Sequence, residues 1–239
     1  MHRILIESKL PPTGQLVAID GDEAAHAIRV KRLEIGDMLM LLDGAGAIAE
    51  ATIEGVTRAA QRKDGTILEA RVGKRHEVQP ARPMLEVFAA TPKGGRVDEM
   101  IDQLSQIGAA AWGPLETVRG VVEPRERKLE RLDRIAREAA KQAGRAWLMR
   151  IESSHPFVKA LDTTTARVIL ADSSGEKYQR ADHGGGTPLR LLIGPEGGWT
   201  AEELNSARAR GVQITRFGPH IMRIETAAAA AASVIMAES

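Results

Sequence analysis

The stretch LRLLIGPEGGWTAEE, Leu189 to Glu203, opens on an apolar run, Leu191, Leu192 and Ile193, that reads as a buried strand. The run stops at Gly194-Pro195, where proline has no N–H for ladder pairing and glycine is free at positive φ. Gly197 and Gly198 have no Cβ to hold a ligand away, so this loop can bring its backbone N–H groups close to one. Thr200, with Glu203 three residues on, has the spacing of a capping box and opens a helix. Strand, glycine turn and capped helix outline a binding site at the carboxyl end of a strand, where open α/β sheets take their ligands; an ordinary β–α turn has the same outline. The lysine and Ser/Thr of a Walker A loop are absent, as is G-x-G-x-x-G, which disfavours nucleotide triphosphate chemistry.

Downstream, Val212–Phe217 predicts a strand closing in a second Gly-Pro turn, FGPHIMRIETA, and Thr226–Met236 an alanine-rich helix suited to close packing at a subunit or chain-crossing contact. Upstream, strands and helices alternate. A strand over Leu85–Ala89 precedes a helix in which Val97, Met100, Ile101, Leu104 and Ile107 recur at helical spacing until Gly108. A strand near Leu115–Val118, a long helix from about Pro124 and a strand over Arg167–Ala171, ending in the loop ADSSGE, follow. The alternation predicts an α/β domain over residues 84–239. HGGG near residue 185 has no G-x-S-x-G partner and reads as a surface loop.

Residues 1–75 carry short β runs at Ile4, Met38, Ala47 and Thr66, separated by turns such as Asp43-Gly44 and Asp64-Gly65, and predict a small β-barrel. Residues 76–83, with Pro80 and Pro83 at their end, form the linker. Between the first two of these strands, GDEAAHAIRVKRLEIGD predicts a short helix ending in a basic cluster, Arg29, Lys31 and Arg32, able to hold nucleic-acid phosphates or simply to face solvent. His26 has no partner at ligand spacing, and no metal is expected.

In 239 residues, 33 Lys/Arg balance 32 Asp/Glu, so a basic surface must come from local clustering. Between Arg119 and Arg150 ten Lys/Arg face five Asp/Glu. The long helix has an apolar stripe, Leu129, Leu132, Ala136, Ala139 and Ala143, and a basic one, Arg127, Arg131, Arg134, Lys141 and Arg145. The i,i+4 pairs Glu130–Arg134 and Asp133–Arg137 leave a surplus of charge, which points to an anionic partner. Without cysteine the chain has neither disulfides nor thiolate catalysis. MHRILIESKLPP lacks a signal-peptide core and no apolar run approaches a membrane span, so a soluble cytoplasmic protein without a membrane partner is expected.

The two Gly-Pro motifs, read as lying at the ends of neighbouring strands, resemble those of bacterial rRNA methyltransferases that methylate N3 of a uridine in small-subunit (16S) ribosomal RNA, a branch of the SPOUT superfamily. His26–Arg32 and Asp43-Gly44 are similar to the family's N-terminal PUA-like barrel, and REAAKQAGR, Arg137 to Arg145, to its helix with a Gln-x-x-Arg signature. The chain departs from the pattern at Gln103, Gln106 and His220, the last commonly an arginine.

The resemblance implies a PUA-like β-barrel followed by an α/β SPOUT methyltransferase domain with a C-terminal trefoil knot. It also implies a homodimer, S-adenosylmethionine as cofactor, and 16S rRNA or the small ribosomal subunit as partner. The cofactor is expected on Leu170, Ile193, Gly194, Glu196, Gly197, Gly198, Phe217, Gly218, Ile221 and Met222, and RNA on Arg29, Lys31, Arg32, Arg119, Gln142 and Arg145. Arg223 is expected to stabilise charge on the uracil oxygens as N3 loses its proton. Glu225 either takes that proton or orients Arg223, the second being favoured because a carboxylate paired to arginine is a poor base; His220 is a further candidate base. Two alternatives stand beside this reading: a SPOUT methyltransferase acting elsewhere on RNA, and a non-catalytic RNA-binding or assembly factor of the same fold.

Overall fold

The computed structural model describes residues 1–58, 65–121, 126–179 and 186–237. Prediction-bearing residues Asp64, Pro124 and 183–185 lie outside them. The chain divides into two compact units, one of Met1–Pro80 with Ala140–Leu148, the other of Ala81–Ala139 with Met149–Ser239.

The first unit holds β1 (His2–Leu5), β2 (Leu16–Ile19), α1 (Gly21–Ala25), a π-helical turn (His26–Val30), β3 (Met38–Leu42), β4 (Ala47–Arg58) and β5 (Thr66–Glu77). The sheet order is β1-β3-β4-β5-β2, parallel at β1/β3 and antiparallel elsewhere. Period-two alternation in β5 buries Leu68, Ala70 and Val72 against Ile4, Leu39, Leu41 and Ile53. Strand β2 is absent from the sequence reading: four residues are too short for their alternation to stand out, and α1 therefore follows β2 rather than β1.

Ala140–Leu148 joins this unit through backbone bonds, Gly46 N–H to Ala146 O and Leu148 N–H to Gly44 O, and through the Trp147 indole, which donates to Val78 O at 2.7 Å. Gly44 and Gly46 take positive φ, and a Cβ on either would stand under 3 Å from Leu148 or Trp147.

The second unit contains β6 (Leu85–Ala89), α2 (Arg96–Ile107), β7 (Ala111–Glu116), α3 (Glu126–Ala143, its last turn counted with the first unit), β8 (Arg150–Ile151), β9 (His155–Pro156), α4 (Phe157–Ala160), β10 (Arg167–Lys177), β11 (Leu189–Ile193), α5 (Ala201–Ala209), β12 (Gln213–Arg216) and α6 (Ile224–Ala237). The strands are parallel in the order β12-β10-β11-β6-β7-β8, with β9 also beside β7. Both faces are covered, which is why β6 and β11 are apolar except at Glu86 and Arg190, which pair with each other. Leu85, Val87, Leu191 and Ile193 pack under α2, α3 and α6, while Phe88, Val168, Leu170 and Leu192 pack under α4 and α5.

Several expectations are corrected. β7 begins at Ala111, four residues before the expected strand, because Gly113 and Pro114 mask its pattern; a Cβ on Gly113 would stand 2.6 Å from the Phe88 ring. Strand β10 runs on through ADSSGE. The two Gly-Pro turns are not on neighbouring strands, since β10 lies between β11 and β12. The close packing expected of α6 is present: Ala228, Ala231, Ala232 and Ile235 are buried in the cluster that includes Val97, Met100 and Leu104 of α2.

Candidate active site

The loop between β11 and α5 is pinned from several sides. Thr200 Oγ1 accepts from the Glu203 N–H at 3.1 Å and Glu203 Oε2 accepts from the Thr200 N–H at 2.8 Å, closing the capping box. The other carboxylate oxygen of Glu203 accepts from the Val118 N–H at 3.0 Å, so the turn after β7 hangs on the start of α5. The Trp199 indole donates to Ala171 O of β10 at 2.9 Å. Gly194 makes room for that ring, because a Cβ there would lie 2.8 Å from it. Gly198 turns the chain at φ 68° and donates its N–H to Pro195 O. Among the described residues, no hydrogen bond takes the N–H groups of Glu196, Gly197 and Trp199.

This loop, the loop after β12 and the bulged middle of β10 line a cavity of about 570 Å³. In β10 the register slips between Ala171 and Glu176, which both face Thr215 of β12, so Asp172 and Ser173 loop into the cavity wall. Gly175 permits the slip, because a Cβ there would stand 2.5 Å from the Ile214–Thr215 backbone. The lining is largely apolar or backbone, with Ile193, Phe217, Met222 and Ile224 beside Arg216, His220 and Arg223. Thr215 is fully buried in this wall, and its hydroxyl has no hydrogen-bond partner among the described residues.

Of the residues assigned to the cofactor, all but Leu170 line this cavity. Leu170 points into the core under α5, and its neighbour Ala171 takes the wall, as the alternation along a strand requires. Arg223 is exposed and lines the cavity. Glu225 does not line it: buried at the start of α6, it lies 3.9 Å from Arg96 of α2. Among the described residues Arg223 forms no ion pair, so the expected Arg223–Glu225 contact is corrected to Arg96–Glu225. Sequence reading missed Ala171, Asp172, Ser173 and Thr215. The local trace of the first three is an abrupt change from apolar to small polar residues midway along β10, which alone does not place them at a site.

Of the residues assigned to RNA, five belong to the first unit and Arg119 to the second. Arg29, Lys31 and Arg32 lie exposed on the turn after α1, with Arg32 in the left-handed region at φ 56°. In the first unit Gln142 accepts at its backbone oxygen from Arg3 at 2.6 Å, and burial holds the pKa of Arg145 below the usual arginine value. Arg119, in the second unit, donates to Gly197 O at 2.7 Å and Trp199 O at 3.4 Å. The basic stripe of α3 is partly spent, since Arg131 pairs with Asp98 and Lys141 with Glu23; of the two expected i,i+4 pairs, Asp133–Arg137 forms and Glu130–Arg134 does not among the described residues.

The geometry agrees with what known proteins show. An RNA methyltransferase domain model matches residues 80–236, and an RNA methyltransferase PUA domain model matches residues 19–59. Ribosomal RNA small subunit methyltransferase E of Mycobacterium bovis is 31% identical over 237 residues, covering 95% of this chain and 88% of its own. The chain belongs to the ribosomal RNA small subunit methyltransferase E family. The relative of the same name from Synechocystis is 32% identical over 217 residues, 87% of this chain and 69% of its own. Among solved structures, the family member from Neisseria gonorrhoeae bound to S-adenosylmethionine superposes with a TM-score of 0.85 over 99% of this chain and 97% of its own, at 24% identity. A protein from Legionella pneumophila, solved with the cofactor S-adenosylmethionine, gives 0.80 over 98% and 96%, at 26% identity. The first unit thus contains the family's PUA domain and the second its RNA methyltransferase domain.

Proposed function

We propose that the chain transfers a methyl group from S-adenosylmethionine to N3 of a uridine in 16S rRNA of the small ribosomal subunit. The observation that carries this reading is the cavity at the carboxyl ends of β11 and β12 and the bulge of β10, walled by two glycine-containing loops with Arg223 exposed at its lining. Its volume lies within the range of about 300–1,000 Å³ common to small-molecule sites. The donors left over in the glycine loop and the unpartnered Thr215 hydroxyl suit a ligand with polar edges on an apolar body. Gly194, Glu196, Gly197, Gly198 and Gly218 would hold it mainly by backbone, and Ile193, Phe217, Ile221 and Met222 by apolar contact.

When bound, S-adenosylmethionine supplies an electrophilic methyl group on a sulfonium, a group that needs no metal to activate it. The protein's part is to align the acceptor nitrogen with it, exclude water and manage the charge left when N3 loses its proton. Arg223, one of two arginines lining the cavity, stabilises the uracil oxygens carrying that charge. Glu225, held by Arg96, shapes the start of α6 behind Arg223, and His220 is a candidate base in the lining, beside the carboxylates of Asp172 and Glu196. Arg29, Lys31 and Arg32 take RNA phosphate on the first unit, and Gln142 and Arg145 belong to the same unit. The family reading also carries a C-terminal trefoil knot, a homodimer and a cytoplasmic location.

Purified protein, radiolabelled S-adenosylmethionine and unmethylated small subunits test the reaction. Label recovered as 3-methyluridine is expected; label in another nucleoside would move the target, and no transfer would favour a non-catalytic RNA-binding role.

A further inference from the structure

We propose that Arg119 is a positioning residue of the glycine loop, a brace on two of its carbonyls. The proposal rests on the reading that the cavity takes S-adenosylmethionine. Arg119 Nη1 donates to Gly197 O at 2.7 Å and to Trp199 O at 3.4 Å. Each carbonyl belongs to a peptide unit whose N–H is also taken: Gly198 N–H goes to Pro195 O at 2.9 Å and Thr200 N–H to Glu203 Oε2 at 2.8 Å. The peptide planes 197–198 and 199–200 are thereby held at both ends. The N–H of Trp199, between them, is among those left over for a ligand.

The brace is itself anchored. Arg119 sits in a tight turn closed by the Gly120 N–H to Thr117 O at 3.0 Å, and Glu203 Oε1 holds the turn through the Val118 N–H. Glu203 therefore caps α5, fixes the Thr200 peptide and places the arginine that fixes the Gly197 peptide. Gly197 fits the same scheme. A Cβ on it would stand 3.3 Å from Arg119 Cδ and 3.4 Å from Arg119 Cβ, so its missing side chain makes room for the arginine. Hydrogen bonds from a charged donor are stronger than neutral ones, which suits a brace that must hold the loop before the ligand arrives.

Calorimetric titration with S-adenosylmethionine, with steady-state kinetics on unmethylated small subunits, tests this on the wild type, R119A, R119K, G197A and the R119A/G197A double variant. Arg119→Ala should weaken cofactor affinity by about tenfold, the scale of losing a hydrogen bond from a charged group. The KM for the cofactor should rise by more than kcat falls, and Arg119→Lys should recover part of the loss. Gly197→Ala should cost affinity in the wild-type background and less in the R119A background, where the side chain it crowds is gone. Wild-type cofactor affinity in R119A, with RNA affinity reduced and its salt slope shallower by about one phosphate, would make Arg119 a phosphate ligand and overturn the brace. A wild-type protein that binds no S-adenosylmethionine would overturn the cavity reading and the brace with it.

Discussion

The carboxylate of Glu225 lies 3.9 Å from the guanidinium of Arg96, which leaves Arg223 exposed at the cavity with no ion pair among the described residues. The two arginines should therefore fail in different ways. Arg96→Ala strands a buried carboxylate that already has one unpartnered oxygen, and should lower stability by about 1–2 kcal/mol. Arg223→Ala should leave the melting temperature nearly unchanged while the single-turnover rate at saturating RNA falls about 10²–10³-fold, as when one oxyanion donor is removed. Thermal unfolding and quenched single-turnover assays on both variants check the split; a stable, fully active R223A would return attention to His220.

Gly194→Ala should disturb the cavity through Trp199. The added methyl would stand 2.8 Å from the indole, whose ring is buried and tied to Ala171 O. A cost of about 1–3 kcal/mol is expected for overpacking, together with weaker cofactor binding, because the displaced ring carries the loop with it. Chemical unfolding and cofactor titration measure the two effects, and unchanged values for both would show that the ring is not a fixed point of the site.

A second buried contact lies deeper. Arg190 of β11 pairs with Glu86 of β6 at 2.9 Å, both nearly buried, with the guanidinium 5.4 Å from the Phe88 ring centre and Nη1 reaching Ala160 O. Arg190→Met or Glu86→Gln alone should each destabilise by about 3 kcal/mol, since one charge is left buried without its partner. The double variant should recover much of the loss, giving a coupling energy that a double-mutant cycle reads directly.

Most of the second unit was legible because its strands are buried on both faces and its helices carry regular apolar stripes, as at Val97, Met100, Ile101 and Leu104. The capping box at Thr200 and Glu203 and the stop at Gly108, φ 116°, were equally readable, being local. What escaped depends on the order of strands in space. Nothing local to Ala171–Ser173 says that β10 separates the two Gly-Pro strands, so their place in the cavity wall was hidden. Arg119 was assigned to RNA, and its bonds to the glycine loop escaped because its partners are backbone carbonyls far along the chain, which leave no trace in a charge count. The return of Ala140–Leu148 to the first unit was hidden for the same reason, since its contacts to Gly44 and Gly46 are set by fold rather than by pattern.

RNA affinity should fall with salt, and the exposed turn after α1 should carry part of the slope. Each phosphate contact contributes about −0.7 to −0.9 to the dependence of log affinity on log salt. Replacing Arg29, Lys31 and Arg32 together by glutamine should make the slope shallower by about two to three, while Arg131→Gln, whose guanidinium is already paired to Asp98, should change it little. Binding titrations at several salt concentrations check this, and an unchanged slope in the triple variant would leave the cluster a solvated surface.

The most direct test of the account is mass spectrometry of nucleosides from the small-subunit ribosomal RNA of cells with the gene, without it, and with it restored as wild type or as R223A. The account predicts that 3-methyluridine disappears with the gene, returns with the wild type, and returns only weakly or not at all with R223A. A level of 3-methyluridine unaffected by loss of the gene would contradict it.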